Sequence, residues 1–313
     1  MTRLCQQHDG INLAQGFPDF PAPEALKEAA VRAIRADVNQ YAITWGSRPL
    51  REAIAVKASA FNGIPDVDPE RHVTVTCGAT EAMMAVMLSV IEPGDEVIVF
   101  EPFYENYGPD AILSQARLRF VPLHPPGWNF DLEALRAAFG PRTRAIVVNT
   151  PHNPTGKVFS RPELEAIASL PGMADRTLTN SGLGKTFAVT GWRLGYVIGP
   201  ADLTTAIRRA HDFLTVGAPA PLQEAAVTAL GFPASYYAGM LADIRAAGLD
   251  DTTFVERLIT RIGVAAVPAS SFMADRSQPC PWIRFAFPRR HETLEAPRVR
   301  LARLSTSDGS ALL

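Results

Sequence analysis

The stretch with the most chemical potential is Thr179-Asn-Ser-Gly-Leu-Gly-Lys185-Thr-Phe-Ala-Val-Thr-Gly-Trp-Arg193, one lysine in a tight Ser/Gly loop with an arginine eight residues behind it. Three readings are open. Gly-Leu-Gly184-Lys185-Thr186 looks like the end of a nucleotide phosphate loop, which needs a glycine five residues before Gly184 and a helix after the lysine. Position 179 is Thr, and 187–198 carries Gly191 and Gly195 without a helical apolar stripe. A second reading is a Schiff-base lysine, which must lose its proton to attack an aldehyde and sits close to a cofactor phosphate. The third is an ordinary surface lysine in a glycine loop.

Two further stretches have functional potential. Val73-Thr-Val-Thr-Cys77 reads as a strand, and Gly78-Ala79-Thr80 opens a helix immediately after it. Free backbone N–H groups and the helix dipole converge at such a junction and favour an anion, while Thr80 reads equally well as a plain N-cap. Glu101-Pro-Phe-Tyr104 and Thr150-Pro-His-Asn153-Pro-Thr-Gly156 are loops at the carboxyl ends of the apolar runs 96–100 and 144–149. Open α/β sheets bind ligands at that edge.

The elements that must position these groups alternate. Helices are expected from Pro23, over 50–61, from Gly78, over 132–139 and over 160–170, the last opened by the capping box Ser160-Arg-Pro-Glu163. Strands are expected at 73–77, 96–100, 117–123, 144–149 and 176–180. This order implies a largely parallel sheet with helices on both faces. Further on, 202–211, 221–230 and 235–261 read as helical, and 263–267 and 282–287 as strands, with a frayed tail after Leu304. Pro/Gly punctuation around Gly217-Ala-Pro-Ala-Pro221 marks a domain boundary.

Composition narrows the classes. The chain has 313 residues, 47% of them hydrophobic, which suffices for a sizeable core and suggests two domains. A formal net charge of −2 gives no reason to expect nucleic acid or an anionic membrane as partner. No apolar run reaches a membrane span and the start lacks a signal-peptide core, so a cytoplasmic protein is expected. Cys5, Cys77 and Cys280 are far apart and the six histidines show no ligand spacing, so neither a disulfide framework nor a metal site is expected.

Taken together, Gln15-Gly16-Phe-Pro-Asp, Tyr41, Gly78-Ala-Thr80, Glu101-Pro-Phe-Tyr104, Asn153-Pro-Thr-Gly156, Lys185 with Arg193, and Arg284 resemble the fold-type I pyridoxal 5'-phosphate (PLP) aminotransferases, in particular the branch acting on kynurenine, glutamine and methionine. The resemblance implies an α/β fold with a PLP-binding large domain of mainly parallel sheet (21–220) and a smaller α+β domain built from 1–20 and 221–313. It implies that Lys185 carries the cofactor and shuttles the substrate Cα proton. Arg193, Thr80 and the N–H groups of Gly78 and Ala79 would neutralise the phosphate, with Tyr41 reaching it from the partner subunit of a homodimer. Tyr104 would stack on the pyridine ring, Asn153 would bond its 3-oxygen, and Arg284 would clamp the substrate α-carboxylate beside the Gly16 backbone.

The chain also departs from that family. There, a further strand lies between the Asn-Pro-Thr-Gly loop and the lysine, bearing an aspartate for the pyridine nitrogen and a tyrosine for the 3-oxygen. Here one capped helix and Pro171-Gly-Met-Ala-Asp175-Arg lead straight to the lysine strand, which leaves no room for a parallel crossover. Asp175 falls in a turn and is no substitute. The serine usual three residues before the lysine is Gly182. A second gap is expected near 240–245. The expected reaction is transfer of an amino group between an amino acid and a 2-oxo acid. The alternatives are an impaired or truncated relative and a PLP-dependent β-lyase acting on cysteine conjugates.

Overall fold

A computed structural model describes residues 1–169, 176–233, 236, 255–256, 258–276, 280, 282–286 and 291–301. In chain order, α1 (Thr2–Gln7), β1 (Ile11–Asn12), α2 (Glu24–Arg35) and α3 (Arg48–Asn62) lead into β2 (Val73–Thr76) and α4 (Gly78–Val90). Then come β3 (Glu96–Glu101), α5 (Tyr107–Ser114), β4 (Arg117–Pro122), α6 (Leu132–Ala138), β5 (Thr143–Val147) and α7 (Arg161–Ala168). β6 (Thr179–Gly182), β7 (Gly195–Ile198), α8 (Ala201–Thr215) and α9 (Ala220–Leu230) follow. The last elements are β8 (Val264–Ala265), β9 (Val267–Pro268), β10 (Ile283–Arg284) and α10 (His291–Leu301).

The alternation of strands and helices from 73 to 182 is as expected, whereas β7 is not among the expected strands, and the sheet comes in two pieces rather than one largely parallel sheet. β4-β3-β5 is parallel throughout. In β2-β7-β6, β7 runs antiparallel to both neighbours. The parallel piece is buried from both sides: Ile98 and Phe100 point to a cluster with Leu135 and Ile167, and Val97 and Val99 to one with Met87, Tyr107 and Ala111. Successive side chains of one strand thus face opposite helical layers. The second piece packs Val73, Val75, Leu194 and Tyr196 with Leu26, Leu50, Ile54, Ala225 and Ala229. α9 therefore lies against α2 and α3, beneath β2 and β7.

Both chain ends share a third core. Cys5, Leu13 and Ala14 pack with Val255, Leu258, Ile259, Val264 and Ala265, and β1 pairs in parallel with β8. Leu258–Ile262 forms a π-helical turn, while most of the helix expected over 235–261 lies outside the described residues. So do 170–175, including Asp175, the tail after Leu304 and the region of the second gap. Three helices were not expected: α1, α5 and α10. No helix among the described residues is long and apolar enough to cross a membrane.

Candidate active site

β6 ends at Gly182, and the next residues alternate in fate. Leu183, Phe187 and Val189 are buried in the β2-β7-β6 core, which leaves Lys185 exposed between them, on the wall of a cavity of about 2910 Å³. The loop closes by Val189 N–H donating to the Gly184 carbonyl (2.9 Å) and Leu183 N–H to the Leu194 carbonyl (3.1 Å). After Lys185 the chain makes a 3-10 turn at Thr190–Trp192 and enters β7, so the helix that a nucleotide phosphate loop requires is not there.

Arg193 sits in the left-handed region (φ 52°), donates to the Thr190 carbonyl at 3.1 Å, and lies over Gly78. A Cβ on Gly78 would stand 2.5 Å from Arg193 Nη2, and Gly78 itself has φ +84°. A Cβ on Gly195 would stand 2.6 Å from the Gly78 carbonyl carbon. Glycine at both positions therefore lets β7 and the first turn of α4 touch backbone to backbone. Cys77, not Thr80, is the N-cap of α4, and it makes no side-chain cap bond. Thr80, in the first turn, instead shares a hydrogen bond with the Tyr104 hydroxyl. The Gly78–Thr80 backbone and the Arg193 guanidinium thus converge on one wall of the cavity, the donor set that an exposed phosphate dianion needs.

Behind that wall, Glu81 accepts from Cys77 N–H at 3.0 Å and meets His211 Nδ1 at 3.0 Å, while His211 Nε2 donates to the Thr44 carbonyl at 2.9 Å. Burial alone would lower the pKa of His211, but the bond to Glu81 and its charge outweigh this and raise it.

The opposite wall comes from other elements. Asn153 donates its N–H to Asn149 Oδ1 (2.8 Å) and accepts from Arg284 Nη1 (3.1 Å). Arg284 Nη2 donates to the Ala14 carbonyl at 2.6 Å, and its guanidinium lies 5.0 Å from the Phe272 ring centre. Burial draws the Arg284 pKa down, partly offset by Glu105 and Tyr104, and the group stays charged. Its Nε–H is buried without a hydrogen-bond acceptor, and among the described residues no carboxylate pairs with it. Tyr104 is half-buried against Tyr107, the rings 5.8 Å apart at 88°, and burial followed by the Glu105 charge raises its hydroxyl pKa.

Gly16, Gly78, Ala79, Thr80, Tyr104, Asn153, Lys185, Arg193 and Arg284 therefore line one cavity, although 268 residues separate the first from the last. Tyr41 does not; within one chain it is 88% exposed. Sequence reading missed Asp110, a buried carboxyl on the same cavity whose Oδ2 has no partner and whose pKa burial pushes up to about 6. It also missed Trp128 and Trp282, which meet edge to face at 5.7 Å on the cavity wall. No local pattern marks either tryptophan, whereas an aspartate in the apolar run after Tyr107 is an irregularity that could have been noticed.

Comparison with known proteins agrees with this geometry. The family model "Aminotransferase class I and II" matches residues 8–174 and 171–247. A Mycobacterium tuberculosis protein named as a probable N-succinyldiaminopimelate aminotransferase is 36% identical over 377 aligned positions, covering 97% of this chain and 95% of the relative. The solved M. tuberculosis N-succinyldiaminopimelate aminotransferase superposes with a TM-score of 0.91 at 36% identity, covering 97% of this chain and 96% of the other. The Escherichia coli methionine aminotransferase is 33% identical (97% and 94% covered), and human kynurenine–oxoglutarate transaminase 1 is 31% identical (96% and 93%). With this match over nearly its whole length, the chain belongs to the class I and II aminotransferases, enzymes that depend on pyridoxal 5'-phosphate.

Proposed function

We propose that this aminotransferase exchanges an amino group between an amino acid of the kynurenine, glutamine or methionine type and a 2-oxo acid, and that it works as a homodimer in the cytoplasm. The observation that carries the reading is Arg284, a half-buried guanidinium whose Nε–H is buried and unspent, on the same cavity as Lys185. A buried cation without a carboxylate partner is costly unless a ligand anion completes it, and a substrate α-carboxylate supplies two oxygens in the geometry of the fork. Phe17, Trp128 and Trp282 on the cavity wall favour a substrate with an apolar or aromatic side chain.

The phosphate of the cofactor is assigned to the N–H groups of Gly78 and Ala79, the Thr80 hydroxyl and Arg193, with Tyr41 added from the partner subunit. Tyr104 supplies the ring wall and Asn153 a donor to the 3-oxygen. Bound there, pyridoxal phosphate supplies an aldehyde carbon for amine exchange and an electron-accepting ring. Lys185 would hold the cofactor covalently, and its ε-amine, when free, would take the proton from the substrate Cα and hand it back on the cofactor side. Arg284, held by Asn153 and Ala14, fixes the carboxylate so that the Cα–H faces that amine. The division into a large domain (21–220) and a small domain from both chain ends is part of this proposal, with α9 packed on the large side.

The experiment is borohydride reduction of the protein loaded with pyridoxal phosphate, followed by peptide mapping, beside turnover of methionine, glutamine and kynurenine with a 2-oxo acid acceptor. Attachment at Lys185, lost in Lys185→Ala, is expected. Attachment elsewhere, or equal turnover by Lys185→Ala, overturns the assignment.

A second reading, an enzyme slowed by a missing acid at the ring nitrogen, is favoured by one observation. Among the described residues no strand lies between β5 and β6. A neutral pyridine withdraws electrons poorly, and one lost electrostatic partner slows such chemistry on the order of 10²-fold. Inserting a strand bearing Asp and Tyr after Leu170 should then restore the rate; unchanged turnover removes this reading.

A further inference from the structure

The phosphate wall is braced from behind by groups that the reaction itself does not use. Glu81, in the first turn of α4, lies off the cavity wall. One of its carboxylate oxygens accepts from Cys77 N–H at 3.0 Å, and the other meets His211 Nδ1 at 3.0 Å. Cys77 directly precedes Gly78, so this carboxylate holds the backbone where the phosphate donors begin. His211, on α8, is fully buried, and its Nε2 lies 2.9 Å from the Thr44 carbonyl in the loop before α3. The end of α8 closes on both sides of this brace. A Cβ on Gly217 would stand 3.2 Å from the Thr44 carbonyl oxygen, and the Cys77 thiol donates to the Gly217 carbonyl at 3.4 Å. One imidazole thus joins the start of α4 to the loop that carries Tyr41.

The partners fix the proton count. A carbonyl oxygen only accepts, so Nε2 must carry a proton. A carboxylate also only accepts, so a hydrogen bond at Nδ1 requires a second proton, and the pair is an imidazolium facing a carboxylate. A neutral imidazole would set the Nδ1 lone pair against Glu81, with the Thr215 hydroxyl at 3.4 Å as the other donor in reach. The second charge acting on His211 is Asp212 of its own helix, which also favours the proton. Arg208 of the same helix is turned to the carbonyls of Glu70 and Val73. β2 (Val73–Thr76) and Thr44 bring no titratable side chain, and burial raises the pKa of the Cys77 thiol. With its proton the His211–Glu81 pair is electrically neutral. Without it, Glu81 leaves one negative charge, 11% exposed, in the first turn of α4, where it competes with a phosphate for the positive end of the helix.

We propose that His211 and Glu81 are positioning residues for the cofactor phosphate: the proton on His211 keeps the carboxylate neutralised behind the Gly78–Thr80 donors, and its loss weakens their hold on the phosphate. The inference rests on the assignment of the phosphate to Gly78, Ala79, Thr80 and Arg193, and extends it to two residues that line no part of the cavity. Proton binding at His211 and phosphate binding at the wall are then reciprocal, each favouring the other.

The test is equilibrium dialysis of the full chain with pyridoxamine 5'-phosphate, from about pH 6 to about pH 9.5. This ligand has an amine in place of the aldehyde, so its binding does not depend on bond formation at Lys185, and its own titrations cancel in ratios between variants. Glu81→Gln keeps an acceptor for Cys77 N–H and removes the charge. It should match wild type at the low end and bind about threefold to tenfold more tightly than wild type at the high end, the scale of one partly screened charge. A folding defect does not produce such a gain. His211→Gln leaves Glu81 charged throughout and should bind weakly at every pH; where it does not fold, the comparison with Glu81→Gln decides alone. Pyridoxamine, which lacks the phosphate, should not distinguish wild type from Glu81→Gln. Arg193→Ala separates this inference from the assignment beneath it. If Arg193→Ala binds the phosphorylated ligand more weakly but wild type and Glu81→Gln give parallel pH curves, the inference falls and the assignment stands. A difference between those two that pyridoxamine reproduces also overturns the inference. If Arg193→Ala binds as tightly as wild type, the assignment falls and takes the inference with it.

Discussion

His152 sits at 4% exposure in the loop that presents Asn153, its Nδ1 2.9 Å from Thr155 Oγ1. Burial, reinforced by the Lys157 charge, lowers its pKa from the ordinary 6.5 to about 4, so the folded state holds it neutral. A depressed histidine stabilises the fold above its unfolded pKa, and that stability is lost as pH falls from 6.5 toward 4. Between about pH 8 and about pH 5 the loss comes to about 2 kcal/mol, and the full shift is worth about 3 kcal/mol. Asp110 works the other way: its pKa is raised from 3.8 to about 6, so its ionisation costs stability as pH rises through that window. Over the same pH range it returns about 1.4 kcal/mol on acidification, so the wild type hides much of the acid sensitivity of His152. Urea unfolding of wild type, His152→Gln and Asp110→Asn at both pH values separates the two, because all other titrations cancel in the differences. His152→Gln should lose about 2 kcal/mol less than wild type on acidification. The advantage of Asp110→Asn over wild type should fall from about 3 kcal/mol at the higher pH to about 1.6 at the lower. Differences that stay constant with pH refute the argument for the residue concerned.

Other perturbations test other parts of the site. Arg284→Ala should cost on the order of 2–5 kcal/mol in binding a free amino acid and far less for its amide, measured by titrating the loaded enzyme; equal losses would take Arg284 out of the substrate site. Gly78→Ala brings a Cβ to 2.5 Å from Arg193 at φ +84°, and strain of about 1–3 kcal/mol should appear as weaker uptake of pyridoxal phosphate in equilibrium dialysis. Ser160→Ala removes the capping box that starts α7 and should lower stability by about 1 kcal/mol with no change in cofactor affinity. Glu81→Gln removes the carboxylate charge that helps raise the His211 pKa against burial, so the stability that the wild type loses as pH rises above about 6.5 should not be lost in the variant, where burial of a neutral imidazole instead makes stability fall on acidification.

What could be read in the sequence was whatever is decided locally. Val73-Thr-Val-Thr, Glu96-Val-Ile-Val-Phe and Arg144-Ala-Ile-Val-Val are apolar β-branched runs bounded by turn residues, and they became β2, β3 and β5. Ser160 and Glu163 made the capping box their spacing promised. α5 escaped notice because Gly108-Pro109 looks like a turn, yet proline in a first helical turn gives up an N–H that has no intrahelical partner anyway. α10 carries Pro297 inside it, which argues against a helix by propensity. Thr80 was legible as a hydroxyl at a helix start, but the bond to Tyr104 depends on how α4 and the loop after β3 dock. The contact proposed for Tyr41 would need a second chain, and within one chain that side chain is exposed.

The two-piece sheet also sets an order for folding. β3, β4 and β5 with α5, α6 and α7 come from the continuous stretch 96–168, so their contacts close short loops. β2 must wait for β7, as Val73 pairs with Ile198, and β6 joins through β7. No ladder hydrogen bond between β5 and β6 makes the pieces rise and fall together among the described residues. Their main mechanical link is α4, which gives Met87 to the β3 side and Ala82 and Ala85 to the β7 side. The 96–168 unit should therefore nucleate first and melt separately, and α4 acts as the clutch through which the lysine-bearing half engages a partner already formed.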